Sequence, residues 1–280
     1  MDEITLVAVF YNEAERLQGY FKNVKSVADK IVVVDCGSTD RTAEICKKNG
    51  ATVIMSPYRY FEQNVNRAMG RVETEWALIL DADERLSPGL KKEMRAAAAK
   101  GDADVYYVRR INYLFDGFST RSTINNFLPR LFRKGAVRYE QEIPHEIPVI
   151  SGKRAKLSGL MYHYAYPSLL HFLRKTQEYI FVMPAEFAKK GQARVSAGER
   201  NSRVKLLFGT HGWRMLLLFP LFRFVDFLVF RRLALDGMRG VVFSFCAAIN
   251  VVLDEIAYWE SKSKKKSGTV FDWGREYPEK

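Results

Sequence analysis

Cysteine is scarce in this sequence. The chain of 280 residues holds three, Cys36, Cys46 and Cys246, without paired spacing. That argues against a disulfide framework or a cysteine zinc site and favours a reducing compartment. No Gly-x-x-x-x-Gly-Lys phosphate loop and no Gly-x-Gly-x-x-Gly dinucleotide fingerprint occurs, which sets aside two common nucleotide-binding classes. Long apolar runs are missing too. Gly240–Leu253 has 14 uncharged residues, short of the ~20 that a membrane span needs. The stretch Trp213–Leu235 carries Arg214, Arg223, Asp226, Arg231 and Arg232, charges that hydrocarbon tolerates poorly. The start, Met1-Asp2-Glu3, has no basic segment and no cleavage site, so no signal peptide is expected. There are no internal repeats.

What is present reads as globular α/β: 48% hydrophobic and 27% charged residues, enough chain for a substantial core. The net charge of +12 is unevenly placed. Residues 189–239 hold 11 Lys or Arg against 3 Asp or Glu, interleaved with Trp213, Phe219, Phe222, Phe224 and Phe227. A solvated face or packing on the rest of the chain would explain such a mixture. An anionic lipid surface explains it better, and nucleic acid less well, since no recognition-helix or zinc-finger pattern accompanies it.

The first hundred residues alternate apolar runs with helical patterns. Strands are expected at Ile4–Phe10, Ile31–Asp35, Ala51–Met55 and Trp76–Leu80. Between them lie helices over Ala14–Val27 with Asn12 as a candidate cap, one capped by Ser38 or Thr39 that ends at Gly50, and one near Phe61–Val72. An alanine-rich helix, Pro88–Lys100, is started by Ser87-Pro88. This order predicts a mostly parallel sheet flanked by helices, with ligands beyond the carboxyl ends of the strands. Shorter strands follow at Val105–Arg109, Leu128–Phe132 and Leu157–Tyr164, then a helical C-terminal region from Pro167 to about Glu260 and a polar, basic tail.

Three of the parallel strands end in acids. Leu78-Ile79-Leu80 runs into Asp81-Ala82-Asp83, two carboxylates at i and i+2 that suit Mg²⁺ or Mn²⁺. Ile31–Val34 delivers Asp35, placed to accept the N3–H of a uracil base. Asp40 follows in the first helical turn, where capping is the competing role. The first strand leads into Tyr11-Asn12-Glu13, with Glu13 a candidate nucleoside contact. One such motif alone would pass for a polar loop; three at one sheet edge are harder to explain as decoration. Arg109, Arg110, Arg130 and Arg133 are candidate phosphate ligands, Arg130 foremost. His145 and His163 are candidates for metal or phosphate, while His171, His211 and Cys36 read as structural.

The segments Tyr11-Asn12-Glu13, Val34–Asp40 and Trp76–Glu84 resemble the family 2 inverting glycosyltransferases of GT-A fold. Pro129–Arg133, His145-Glu146 and His163-Tyr164 are similar to the branch containing lipopolysaccharide-core β-glucosyltransferases. Where that branch has Gln-Arg-Asn, this chain has Asn64-Val65-Asn66. The resemblance implies a metal-dependent hexosyltransferase with a UDP-sugar donor, glucose among the candidate sugars, and a saccharide acceptor of lipopolysaccharide core or another cell-envelope glycan. It implies Glu146 as the base that takes the acceptor proton, with Glu140 and Glu142 as alternatives. Tyr11, Glu13, Asp35, Asp40, Asn66, Asp81 and Arg130 would bind the nucleotide-sugar, and Asp83, Asp81 and His163 the metal. The implied organisation is a GT-A domain over 1–165 (nucleotide-sugar binding 1–104, acceptor and catalysis 105–165), a membrane-associating or acceptor-binding helical region over 166–260, and a tail over 261–280. The expected place is the cytoplasm, peripheral on the inner face of a bacterial membrane. Two other readings stay open: transfer to a polyprenyl phosphate, and a non-enzymatic sugar-nucleotide-binding protein.

Overall fold

The computed structural model describes residues 3–56, 61–139, 148–177, 180 and 212–267. The chain divides into two compact units, Met1–Tyr113 with Ile124–Ala165, and Leu114–Thr123 with Tyr166–Lys280.

In the first unit, β1 (Ile4–Phe10), β2 (Lys30–Asp35), β3 (Thr52–Met55) and β4 (Trp76–Ile79) are parallel, ordered β3-β2-β1-β4. Helices α1 (Ala14–Val24), α2 (Thr42–Lys48) and α3 (Phe61–Met69) connect them. Period-two alternation assigns the faces. Leu6, Ala8 and Phe10 of β1 and Trp76 and Leu78 of β4 join a core with Leu17, Phe21 and Val24 of α1. Val7, Val32, Val34, Ala77 and Ile79 point the other way, onto Val65 and Ala68 of α3. Fully burying side chains of this size stabilises the unit by roughly 1.5–3 kcal/mol each. Tyr20, also fully buried, places its ring edge-on to Phe10 and donates its hydroxyl to the Leu80 carbonyl at 2.9 Å.

The sheet continues with β5 (Glu84–Leu86), then, beyond α4 (Pro88–Lys100), with β6 (Val105–Leu114), β8 (Phe127–Arg133) and β11 (Arg154–Tyr166), in the order β4-β8-β6-β11-β5. The short β7 (Gly117–Phe118) belongs to the second unit, and β9 (Val137–Arg138) pairs with β10 (Val149–Ile150). Strand β8 runs antiparallel to β4 and β6, and β5 antiparallel to β11. The sheet is therefore mixed, parallel in its first half. Helix α4 starts as expected: Ser87 Oγ accepts from Leu90 N at 3.2 Å. Its first turn lies so close to β11 that a Cβ on Gly159 would meet Leu90 Cα at 2.5 Å. Helix α1 stops at Val24, short of the expected Val27. The later strands run longer than expected, and β5 was not expected at all.

The second unit contains α5 (Leu169–Gln177), a helical run with π-helical turns at Arg214–Leu218 and Asp226–Phe230 on either side of α6 (Phe219–Val225), a 3₁₀ turn at Leu233–Asp236, and α7 (Met238–Ser267). Pro220, in the first turn of α6, supplies no backbone N–H, which disfavours regular α pairing across the preceding turn. Gly240 lets α7 begin against the 3₁₀ turn, since a Cβ there would lie 1.8 Å from the Leu233 carbonyl oxygen. Arg239 ties in the 114–123 segment through Asp116 (3.0 Å) and the Phe118 carbonyl (3.2 Å). Helix α7 outruns both expectations made for this region. It continues to Ser267, and its Met238–Glu260 portion is long and apolar enough, by length and composition, to cross a membrane.

Candidate active site

The parallel half of the sheet brings the predicted acids to one edge. Asp35 is the last residue of β2, opposite Phe10 of β1, and Asp81 follows β4, whose Ile79 pairs with Val7. After Asp35 the chain turns through Gly37 at φ 80°, a region glycine enters without strain. This turn folds back so that Asp35 Oδ1 accepts from Gly37 N (3.0 Å) and Ser38 N (2.8 Å). The carboxylate is fully buried, and its Oδ2 has no hydrogen-bond donor among the described residues. A buried carboxylate oxygen without a donor is costly, so the site has the chemistry to receive one.

The turns after β1 and β2 are laced together. Asn12, at φ 54°, accepts from Thr39 N at 2.8 Å through Oδ1, while its own N–H donates to Ser38 Oγ at 2.9 Å. Glu13 N donates to Thr42 Oγ1 (2.8 Å) and Ala14 N to Asp40 Oδ2 (3.1 Å). Asn12 is therefore not the α1 cap, and neither Ser38 nor Thr39 caps α2. Asp40 serves both helix starts, accepting also from Thr42 N at 2.9 Å. Burial works against the Asp40 charge, but these bonds hold its carboxyl below the usual range. The Glu13 carboxylate pairs with Arg16. Tyr11 is half-buried. Asn66 grips the backbone of Tyr139 from both sides, donating to its carbonyl (2.8 Å) and accepting its N–H (3.1 Å).

The acids after β4 separate into two environments. Glu84 is fully buried opposite His163 in the β5–β11 pair. Arg130 of β8, itself buried, donates to Glu84 Oε1 at 2.7 Å and to Asp81 Oδ2 at 3.0 Å. Burial pushes the Glu84 carboxyl up, and the Arg130 charge pulls it back. Burial also works against the Arg130 charge, but Glu84 and Asp81 outweigh it and raise its pKa. Arg110 of β6 stands 3.8 Å from Glu84. The expected phosphate ligand Arg130 is thus turned onto two carboxylates of the chain itself, because a buried Glu84 requires a counter-charge. Arg133 likewise pairs with Glu75 and with Asp104 (3.1 Å).

Asp83 meets a different partner. Its Oδ2 is 3.4 Å from His163 Nε2, and His163 Nδ1 is 2.7 Å from Asn112 Oδ1. Two donors about 2.1 Å from one divalent ion sit about 3 Å or slightly more apart, so Asp83 and His163 fit such an ion. Among the described residues no three His, Cys, Asp or Glu side chains form a metal cluster. Protein would then supply part of the coordination and leave positions for diphosphate oxygens or water. Sequence reasoning missed Glu84 and Asn112 as members of this site, and offered Arg110 as a phosphate ligand where the structure sets it beside Glu84. The available signal for Asn112 was a polar residue between Ile111 and Tyr113, beyond the expected end of that strand. Glu140, Glu142, His145 and Glu146 lie outside the described residues, as does His211; His171 is in α5.

Comparison with known proteins identifies the family. Residues 5–158 match the family described as Glycosyl transferase family 2. An uncharacterized glycosyltransferase of Rickettsia felis is 26% identical over 285 residues, spanning 96% of this chain and all of that protein. The lipopolysaccharide core biosynthesis glycosyltransferase LpsC of Rhizobium meliloti is 27% identical over 206 residues, 70% of this chain and 73% of that one. Among solved structures, S. aureus TarS 1–349 in complex with UDP-GlcNAc aligns with TM-score 0.47 and 14% identity, covering 96% of this chain and 93% of that one. With its matched region covering more than half of its length, the chain belongs to glycosyl transferase family 2 and is a glycosyltransferase.

Proposed function

We propose that this glycosyltransferase moves a sugar, with inversion, from a UDP-sugar to a saccharide acceptor of lipopolysaccharide core or another cell-envelope glycan, at the inner face of the bacterial cytoplasmic membrane. The observation that carries the donor assignment is the buried Asp35 oxygen that lacks a donor. A uracil N3–H would supply one. The Asp81–Asp83 turn stands at the same sheet edge, where the diphosphate of a nucleotide would lie. Asp83 and His163 would hold Mg²⁺ or Mn²⁺ with Asp81 beside them; the ion would neutralise the charge that builds on the diphosphate as the sugar leaves. Tyr11 and Glu13 flank the nucleoside in this reading. Asp40 and Asn66 act by holding the surrounding loops, and Arg130 by holding Asp81. Glu146 takes the proton from the acceptor hydroxyl. The oxygen forms its bond to the anomeric carbon as the bond from that carbon to the diphosphate breaks. Asn66, fixed to Tyr139, anchors the chain one residue before the segment 140–147 that carries this base.

The second unit supports attachment to the membrane. Trp213, Leu221, Phe230, Met238 and Trp259 are each more than 60% exposed, with Arg214 and Arg232 exposed nearby in sequence. LpsC, a lipopolysaccharide core biosynthesis enzyme by name, supports the envelope acceptor. The apolar α7 favours, as a second reading, a polyprenyl-phosphate acceptor. Calorimetry of UDP binding with and without Mn²⁺ tests the donor and metal assignments together. Wild type should bind UDP more tightly with Mn²⁺. Asp83→Ala should lose that increment while keeping its fold, since Asp83 stands at the sheet edge. An unchanged increment in Asp83→Ala would overturn the metal assignment. Product extraction then separates the acceptors: labelled organic-soluble lipid for a polyprenyl phosphate, labelled saccharide core for the other.

A further inference from the structure

We propose that Asn112 is a positioning residue: it fixes the His163 imidazole as its Nδ1–H tautomer, so that Nε2 presents a lone pair toward Asp83 as a nitrogen donor for a divalent cation. The cation half of this inference rests on the metal reading above; the tautomer half does not.

Asn112 sits on β6 and is 6% exposed. Its amide orientation is set from one side. Nδ2 lies 3.3 Å from Asn125 Oδ1 and 3.4 Å from the Ile124 carbonyl, and both are acceptors. The backbone N–H of Asn112 donates to the same Asn125 oxygen at 3.1 Å. The NH₂ end must therefore face Ile124 and Asn125. The carbonyl end then faces His163 Nδ1 at 2.7 Å. A carbonyl oxygen only accepts, so Nδ1 must carry the hydrogen. A neutral imidazole has one N–H, which leaves Nε2 bare. That bare nitrogen is 3.4 Å from Asp83 Oδ2. The two atoms are placed where one divalent cation could be shared between them.

Strand pairing gives the arrangement its stiffness. His163 is opposite Glu84 in the β5–β11 register, and Tyr164 N donates to the Asp83 carbonyl at 2.8 Å. The backbone thus fixes where the imidazole and the carboxylate start, and Asn112 fixes which nitrogen faces inward. A partner of this kind raises a metal-ligating histidine's affinity by orienting the ring, and its loss typically costs about 10–100-fold in metal binding.

The experiment is a long-range ¹H–¹⁵N correlation spectrum of the full-length, metal-free protein at about pH 8, where ordinary imidazoles are neutral. The chain has four histidines, and His163→Asn identifies the His163 signals by their loss. Wild type should show His163 with a protonated Nδ1 and an unprotonated Nε2. Asn112→Ala should shift His163 toward the Nε2–H form and weaken Mn²⁺ binding in the presence of UDP about 10–100-fold. Asn112→Asp retains an acceptor oxygen for Nδ1 but loses the bonds to Ile124 and Asn125, so it should keep Nδ1 protonated and more of the Mn²⁺ affinity than Asn112→Ala. A merely structural role predicts equal losses in both variants with no change of tautomer, and that pattern would overturn the proposal. An Nε2–H or doubly protonated His163 in wild type would overturn it without any Asn112 variant having to fold. If the tautomer responds as stated but Mn²⁺ affinity does not, the positioning role stands and His163 is removed as a metal donor. If wild type binds no Mn²⁺ at all, the metal reading itself falls.

Discussion

The two units solve the same problem in opposite ways. The α/β unit puts its large side chains inside and then buries charge among them: Glu84 and Asp35 are fully buried, and Arg130 is 8% exposed. Each of these has a partner or a turn holding it in place. The helical unit does the reverse. Among its described residues, Glu255 is the one buried acid or base, and many of its largest apolar groups are outside, from Trp213 to Trp259. Buried charge costs free energy unless paired, and exposed apolar surface costs it unless covered. A chain that keeps both is using them. The first feature suits recognition of a charged small molecule, and the second an apolar or lipid surface.

The largest expected effect tests whether chemistry belongs to the α/β unit alone. Glu146→Gln keeps shape and hydrogen bonding but cannot accept a proton. It should lower turnover roughly 10²–10⁴-fold, the usual range for losing a general base. UDP affinity and vesicle binding should stay as in wild type. If activity persists in steady-state assays, the base moves to Glu140 or Glu142. Next comes the buried pair. Arg130→Met leaves the Glu84 carboxylate with only the more distant Arg110 beside it and should cost up to about 3–5 kcal/mol in denaturant unfolding. Adding Glu84→Leu should recover most of that. A double variant no better than the single would mean that Arg130 stabilises through Asp81 or its packing, or that Arg110 needs Glu84.

What the sequence made legible follows from how local each signal is. Strands β1, β2 and β4 announce themselves as apolar runs leading into acids, and α4 by Ser87-Pro88 at its start; both kinds of signal lie within a dozen residues. The partnership of Glu84 with Arg130 spans 46 positions, and that of His163 with Asn112 spans 51. No periodicity connects them. Strand β5 has three residues, too few to show alternation, yet it aligns Glu84 with His163. Asn12 and Asp40 looked like ordinary caps or ligand contacts because each was read on its own turn. They work across two turns that meet only when β1 and β2 pair. The cations of the helical unit were read as one charge excess, which hides what each of them touches. Arg223 and Arg231 both approach Asp226, at 3.9 and 2.9 Å, and both lie over the Phe227 ring. Burial lowers the Arg223 pKa. These two are therefore poor probes of lipid binding, since replacing them disturbs packing as well.

That sharpens the membrane test. Arg214 and Arg232 are exposed, and a cation near anionic lipid contributes ~1 kcal/mol, about fivefold in affinity. The intact protein should sediment with anionic vesicles at low salt and be partly released as salt screens the charges. Arg214→Gln and Arg232→Gln should each weaken binding about fivefold without changing hydrolysis of a soluble donor. Wild type that never sediments with vesicles, at any salt, would mean that the exposed apolar face meets protein instead of lipid.

The smallest expected effect lies at the opposite edge of the sheet and calibrates the comparison between buried and surface charge. Asp29 accepts from Ile4 N at 2.8 Å, where β1 begins, and from both Nη atoms of Arg95 on α4 at 2.6 and 2.8 Å. Both side chains are about a third exposed. The Arg95 hydrogen bonds hold the Asp29 carboxyl below its usual range, against a smaller opposing effect of burial. The stabilisation is therefore fully present above the ordinary carboxylate pKa and is lost as pH falls through the lowered value. Solvent screening limits it to less than ~1 kcal/mol, well under the cost expected for Arg130→Met. Asp29→Asn should lower stability by that amount near neutrality. The gap between wild type and variant should close as pH falls below the ordinary carboxylate range, because protonation of wild-type Asp29 removes the same charge. Unfolding curves for the two proteins across that range decide it. A gap that widens on acidification would show that the pair does not act through the carboxylate charge.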